Sequence, residues 1–151
     1  MTEPERVWSA YIDAWNSHDI DSVVGRVAEG FIYDERPMTM TAPVRGRQAF
    51  REYLKTVFNM FPDLHIETTT CETGSSLAVA ESLMRGTYSG TKGLALGRGR
   101  PISARVACVF EATGGWLVHE RLYWDRANVM RQLGLVPALA NAATTRAVTF
   151  P

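Results

Sequence analysis

The stretch WLVHERLYWDRANVMRQLGL, residues 116–135, decides the fold. Its first part, Trp116 to Asp125, alternates side chains at the two-residue period of a strand and is rich in aromatic residues. Its second part, Arg126 to Leu133, reads as a short helix closed by Gly134 and Pro137. Immediately upstream, Ile102 to Glu111 alternates in the same way, so the two runs predict a hairpin across Ala112 to Gly115. Further back, Leu77 to Tyr88 reads as a long strand after the Gly74-Ser75-Ser76 turn. Before that, Leu64, Ile66 and Thr68 alternate with polar residues.

The first part of the chain has helical spacing instead. Val7, Tyr11, Ala14 and Trp15 form an apolar stripe within residues 5–17, broken by Asn16 to Asp19. Asp19 is placed to cap a second short helix carrying Ile20, Val23, Val24 and Val27, which Gly30 ends. Phe31 to Glu35 reads as a short strand and Arg36 to Arg47 as a loop. A helix over Gln48–Met60 carries Phe50, Tyr53, Leu54, Val57 and Phe58 on its apolar side, continued by Phe61, and Pro62 stops it. Helices first and long antiparallel strands later define an α+β class. No internal repeat or linker is present, so the reading is a single domain over residues 1–136. The tail at 137–151 is expected to be loose or to lie at a subunit contact.

With 151 residues the chain is long enough to bury a core without staples. Lys plus Arg equals Asp plus Glu, 16 each. That balance argues against capture of nucleic acid or of an anionic membrane. Cys71 and Cys108 lie in strand-like runs without metal-ligand spacing and are expected to be small buried hydrophobes in a reducing compartment. The acidic, polar start MTEPERVWSAYIDAW is unlike a signal peptide, and no apolar run approaches the roughly 20 residues of a membrane span. The expected location is cytoplasmic.

The order of these elements resembles the nuclear transport factor 2-like superfamily, and within it the SnoaL-like polyketide cyclases. AWNSHDIDSVV is similar to the family's first helix and turn, and FIYDERP followed by GRQAFREYL to its first strand, loop and third helix. FPDLHIE resembles the lead-in to its second strand. GTYSG and GRGRPISARVACVFEATGGWLVHERLYWD resemble its long strands and final hairpin, and NVMRQLGLVP its last helix. The resemblance implies a cone-shaped barrel: a strongly bent antiparallel sheet wrapped around the N-terminal helices, with an internal pocket for a small hydrophobic substrate. It also implies a homodimer through the outer face of the sheet.

The family's catalytic aspartate lies on the last strand, three residues before the aspartate that opens the final helix. Here that slot is Leu122. Strand parity then puts Val118, Glu120, Leu122 and Trp124 inward, and Leu117, His119, Arg121 and Tyr123 outward. On the neighbouring strands Ala104, Val106, Cys108 and Phe110 face inward, as do Ala80, Ser82, Met84 and Gly86. The related limonene-epoxide-type hydrolases hold an arginine and an aspartate where Ser82 and Met84 stand, so epoxide hydrolysis is disfavoured. Tyr33 and Glu35 match that group's water-positioning tyrosine and asparagine.

Glu120, Glu35 and Tyr33 are therefore the candidate catalytic residues. A carboxyl against an apolar wall can act as both base and acid, and a tyrosine can hold the substrate oxygen. Two other readings stand beside this one. Glu120 could sit at the strand mouth or pair with Arg121 or Arg105 of a neighbouring chain, and Glu35 could be a solvated loop-edge residue. Trp15, Ser82, Met84, Tyr88, Ala104, Val106, Leu122 and Trp124 are expected to line the substrate pocket. Trp15, Trp116 and Trp124 are all expected in the core. Asp34 and Asp125 read as structural, Asp125 as a helix cap. His119 reads as a surface or subunit-contact residue and His18 as a turn residue, while His65 starts an edge strand. The histidines lack metal-ligand spacing, and no metal or cofactor is expected. The glycine stretch Ser89 to Pro101 is not a phosphate loop and reads as a flexible connection. These features imply a cofactor-independent cyclase or isomerase for a polyketide-like or terpenoid-like molecule, by acid–base or pocket-templated ring closure. A non-catalytic small-molecule-binding protein of the same fold is the alternative.

Overall fold

Residues 1–36, 42–75, 77–91 and 95–135 are described in the computed structural model. The tail expected at 137–151 lies outside them, as do residues 37–41 of the first long loop and 92–94 of the glycine stretch. Three helices precede most of the sheet: α1 (Glu3–Ser17), α2 (Ile20–Val24) and α3 (Gly46–Met60). The strands are β1 (Val27–Arg36), β2 (Val44–Arg45), β3 (His65–Thr73), β4 (Ala78–Thr87), β5 (Pro101–Thr113) and β6 (Trp116–Trp124). A last helix, α4 (Arg126–Gln132), follows. Strand order is β2-β1-β6-β5-β4-β3 in one curved, unclosed sheet. Every neighbouring pair is antiparallel except β1 and β6, which run parallel.

Local chemistry sets the helix ends. Thr2 and Glu5 form a reciprocal cap on α1, the Thr2 hydroxyl accepting from the Glu5 N–H and the Glu5 carboxylate accepting from the Thr2 N–H. His18 closes α1 at φ 57° and lies 2.6 Å from the Leu64 carbonyl. The Asp19 carboxylate caps α2, and that of Asp125 caps α4 by accepting from the Asn128 N–H at 2.9 Å. The β5–β6 turn is Gly114-Gly115, both at positive φ, as a two-residue hairpin turn of the mirror-image type requires.

The structure departs from the sequence reading at five places. Helix α2 ends at Val24 with Gly25 as its cap, so Gly30 stops nothing and Val27 to Gly30 belong to β1. The loop before α3 contains β2, whose Val44 is buried against β1. Trp116 is 42% exposed, beneath the Arg47 guanidinium at 5.1 Å, and is not a core residue. Cys71 is only partly buried on β3, an edge strand, whereas Cys108 is buried.

The fifth departure is a β-bulge in the last hairpin. Glu111 pairs with His119 but Ala112 pairs with Leu117, which leaves Val118 as the extra residue. Leu117 is consequently fully buried in the core and Val118 only half-buried, opposite to simple alternation.

The core lies between the concave face of the sheet and helices α1 to α3. Trp8 stacks on Phe110 at 4.6 Å, Trp15 meets Phe50 and Phe58 edge-on, and Phe31 meets Phe50 at 4.9 Å. A smaller cluster of Tyr88, Ile102, Ala104, Val129 and Leu133 joins α4 to the sheet. Among the described residues no helix is long and apolar enough to cross a membrane.

The bulge predicts an asymmetry between neighbouring residues. Leu117→Ala should cost about 2–5 kcal/mol of unfolding free energy, and Val118→Ala about 1 kcal/mol or less. Urea denaturation of both variants checks this, and equal losses would contradict the bulged register.

Candidate active site

The register sets the inward-facing residues in rows across the concave face. One row runs Tyr33, Glu120, Phe110, Ala78. The next runs Glu35, Leu122, Cys108, Ala80. The third runs Trp124, Val106, Ser82, Thr68. Beyond it Ala104, Met84 and Ile66 stand side by side. Residues distant in sequence thus share one surface because each strand turns alternate side chains to the same face.

Two carboxyl groups lie on that surface. Glu120 is 4% exposed and its Oε2 accepts from the Tyr11 hydroxyl at 2.8 Å. It is therefore an interior residue of this chain and does not sit at an open strand mouth. Glu35 is 8% exposed, also buried and not a solvated loop-edge group, and its Oε2 accepts from the Tyr53 hydroxyl at 3.2 Å. The Tyr53 hydroxyl lies 3.1 Å from that of Tyr33. A phenol has one proton to give. Because Tyr53 gives its proton to Glu35, Tyr33 must be the donor to Tyr53.

Burial dominates the electrostatics. It pushes the Glu120 carboxyl up to about 7, with hydrogen bonds from Tyr11 and Cys108 opposing the shift to a lesser extent. It also raises Tyr11, Tyr33 and Tyr53 well above the usual phenol range, with nearby Glu120 or Glu35 adding to the rise. The Cys108 thiol is raised by burial and by Glu120. All four of these neighbours therefore stay neutral, and Glu120 is the group here poised to change charge near neutral pH.

The other expected pocket residues divide. Trp15, Val106 and Leu122 are buried in the main core, and Met84 packs against it half-buried. Ser82 is bound to Thr68 at 3.4 Å, and Thr68 accepts from the Trp8 indole at 3.0 Å, so this hydroxyl serves an internal chain. Tyr88 and Ala104 belong to the smaller cluster under α4, with the Tyr88 hydroxyl 3.1 Å from that of Thr91. Tyr88 is thus removed from the Glu120 row. Trp124 packs against both clusters, and its indole N–H is buried without a partner among the described residues.

Two open surface grooves, of about 410 and 300 Å³, are lined by groups such as Asp63, Arg85 and Gln132 or Glu3, Arg6 and Arg26. Neither includes a residue of the tyrosine–carboxyl cluster. The outer face of the sheet carries Asp34, paired with Arg36 at 2.7 Å, and His119 with Arg121 beside Glu111.

Tyr11 and Tyr53 were legible in the sequence only as members of apolar helical stripes. A tyrosine on a stripe that will be fully buried needs a partner for its hydroxyl, and that is the signal that could have found them.

A bent α+β sheet folded over its helices, with desolvated carboxyl groups facing inward, defines a cone of the ketosteroid isomerase-like fold. The SnoaL-like polyketide cyclase family model matches residues 5–133, and the chain belongs to that family. No curated protein matches the sequence. The fold is shared with IdmH, a candidate polyketide cyclase from Streptomyces antibioticus, at TM-score 0.73 and 18% identity over 88% of this chain and 99% of that one. It is shared with a candidate SnoaL-like polyketide cyclase from Jannaschia sp. CCS1 at TM-score 0.73 and 17% identity, over 89% and 93% of the two chains. The epoxide hydrolase/cyclase-like enzyme SalBIII, of pyran ring formation in the polyether salinomycin, aligns at TM-score 0.68 and 17% identity, over 82% and 92%.

The raised Glu120 carboxyl links stability to pH. An ordinary carboxyl titrates near 4.5, and Glu120 in the folded chain near 7. Between these values the folded chain binds more protons than the unfolded one. Its contribution is full below about 4.5 and is lost as pH rises through 7. The wild-type chain should therefore be less stable at pH 8 than at pH 5, by on the order of 3 kcal/mol at most from this group. Glu120→Gln should flatten the dependence in denaturant titrations at the two pH values. An unchanged slope would assign the titration to another group.

Proposed function

We propose that this chain is a cofactor-independent cyclase or isomerase that moves a proton on a small apolar, polyketide-like or terpenoid-like molecule, with Glu120 as its acid–base group. The observation that supports this most is the buried, uncharged surroundings of Glu120, which bring its carboxyl to about 7. As a carboxylate it removes an acidic proton beside a carbonyl, and as the acid it returns that proton to the new alkoxide or to another carbon. Tyr33 stands beside it in register, with its own proton committed to Tyr53. The substrate lies along the line Trp124, Leu122, Glu120, with Val106 and Met84 on its flank.

The family's aspartate slot is Leu122, and Glu120 stands on the same face two residues earlier, about 6.6 Å down the strand. The acid–base group has therefore moved toward the end of the cone that Trp8 and Phe110 close. A specific observation favours a second reading, a binding protein without chemistry: the slot itself holds an apolar Leu122, 8% exposed. Epoxide hydrolysis remains disfavoured, since Ser82 and Met84 offer neither guanidinium nor carboxylate. The unit of function is the domain over 1–136, in a reducing compartment in keeping with two free cysteines. It pairs with a second copy through the outer sheet face, where Val79 and Tyr123 are exposed.

The test uses 2-tetralone, a small apolar ketone with acidic protons beside its carbonyl, in deuterated water. Proton NMR should show catalysed deuterium uptake at the α-carbon, with a rate that climbs as pH rises to about 7 and then levels. Glu120→Gln should lower that rate by about 10²–10⁴. Uptake no faster than in buffer, or undiminished in the variant, would remove the acid–base reading and leave the binding one.

A further inference from the structure

A base buried as deeply as Glu120 has to unload the proton it collects. Its hydrogen-bonded neighbour Tyr11 offers no route, because the single Tyr11 proton already points at Glu120. Beyond Tyr11 lies the Trp15 indole, which cannot release its own proton. Cys108 is enclosed among core side chains. The open direction is along the row toward β1. Tyr33 is the register partner of Glu120, on the same face and about 4.8 Å away across the pair of strands. From Tyr33 the hydroxyl contacts continue to Tyr53 at 3.1 Å and to Glu35 at 3.2 Å. Tyr53, on α3, is only partly buried, and Glu35 is the next-to-last residue of β1.

Resting on the acid–base reading of Glu120, we infer that Tyr33 and Tyr53 form a proton wire that connects Glu120 to Glu35, with Glu35 as the second proton station of the site. One water molecule between Glu120 and Tyr33, which gives one proton as it takes another, closes the wire. The proton count balances. The Glu120 carboxylic acid gives its proton through the bridging water to the Tyr33 oxygen, the Tyr33 proton moves to the Tyr53 oxygen, and the Tyr53 proton moves to the Glu35 carboxylate. Glu120 ends ionised, Glu35 ends protonated, and each tyrosine has lost one proton and gained one. The phenols never carry charge, which agrees with the burial that holds both of them neutral. The direction of the resting hydrogen bonds, Tyr33 to Tyr53 to Glu35, is the direction of transfer.

The wire separates proton abstraction from proton exchange, and 2-tetralone in deuterated water reads the difference. Without the wire, Glu120 returns most of the protons it collects to the carbon they came from, and deuterium enters more slowly but still measurably. Tyr53→Phe should lower deuterium uptake about tenfold, while the Kd for 2-tetralone by NMR titration and the melting temperature stay close to wild type. Tyr33→Phe and Glu35→Gln should do the same. A wild-type uptake rate in Tyr53→Phe overturns the wire. So does a loss of affinity that accounts for the loss of rate, since that is what a packing role produces. Undiminished uptake in Glu120→Gln, or none in the wild type, instead overturns the acid–base reading beneath it.

Discussion

The Glu120 carboxyl, stripped of water and held by a phenol and a thiol, is the constraint around which this cone is arranged. An ionised carboxylate in apolar surroundings costs several kcal/mol unless it is paired, and no cation faces it among the described residues. The structure keeps it neutral over much of the pH range and supplies two donors, the Tyr11 hydroxyl from the helix lying over the sheet and the Cys108 thiol from β5. The β-bulge follows from the same need. Leu117 and Glu120 are an odd number of residues apart, so in a regular strand they would face opposite sides. The extra residue, Val118, restores the parity. Leu117 then seals the closed end while Glu120 still points inward.

Position along the strand decides which neighbours a carboxyl meets. At Leu122 it would stand beside Glu35 and Cys108, and two carboxylates in adjoining register positions would repel each other. At Glu120 its neighbours are Tyr33 and Phe110 instead. The two carboxyls are offset by one row and separated by phenols, which can pass a proton between them without either phenol ionising. The apolar Leu122 is therefore part of this arrangement, since it spares Glu35 a charged neighbour.

Much of this was readable from the chain because strand parity is a strict rule over regular stretches. The rows from Ala104 to Cys108 and from Ala80 to Met84 face as alternation requires. So do Glu120 to Trp124 and the pair Tyr33 and Glu35. The rule fails where one residue is inserted, and nothing in WLVHE marks Val118 as the insertion. Gly30 misled for a related reason: glycine ends helices, yet it also sits within strands where no side chain is needed. Trp116 looked like core by residue type, but it follows the two-glycine turn, where Arg47 covers its ring and water reaches the rest. Tyr11 and Tyr53 were placed on the correct helix faces, whereas their roles depend on partners 109 and 18 residues away. Local periodicity fixes which way a side chain points, and only the tertiary fold fixes what it meets.

A core carboxyl that costs stability at neutral pH is hard to explain as packing. The groups that touch it carry no charge, and an apolar residue of similar size would remove the desolvation cost. The carboxyl is instead accompanied by a donor on one side and by a directed pair of phenols on the other, none of which an apolar replacement would require. Polar groups arranged to hold one another deep in an apolar interior set the proton affinity of a group near working pH. That is the condition general acid–base chemistry demands. The same reasoning separates Glu120 from Asp34, which is equally buried by area but lies on the outer face, paired with Arg36 at 2.7 Å. Burial alone does not mark a reacting group. Burial without a counter-charge, on the concave face beside other hydrogen-bonded groups, is the observation on which the proposed role of Glu120 rests.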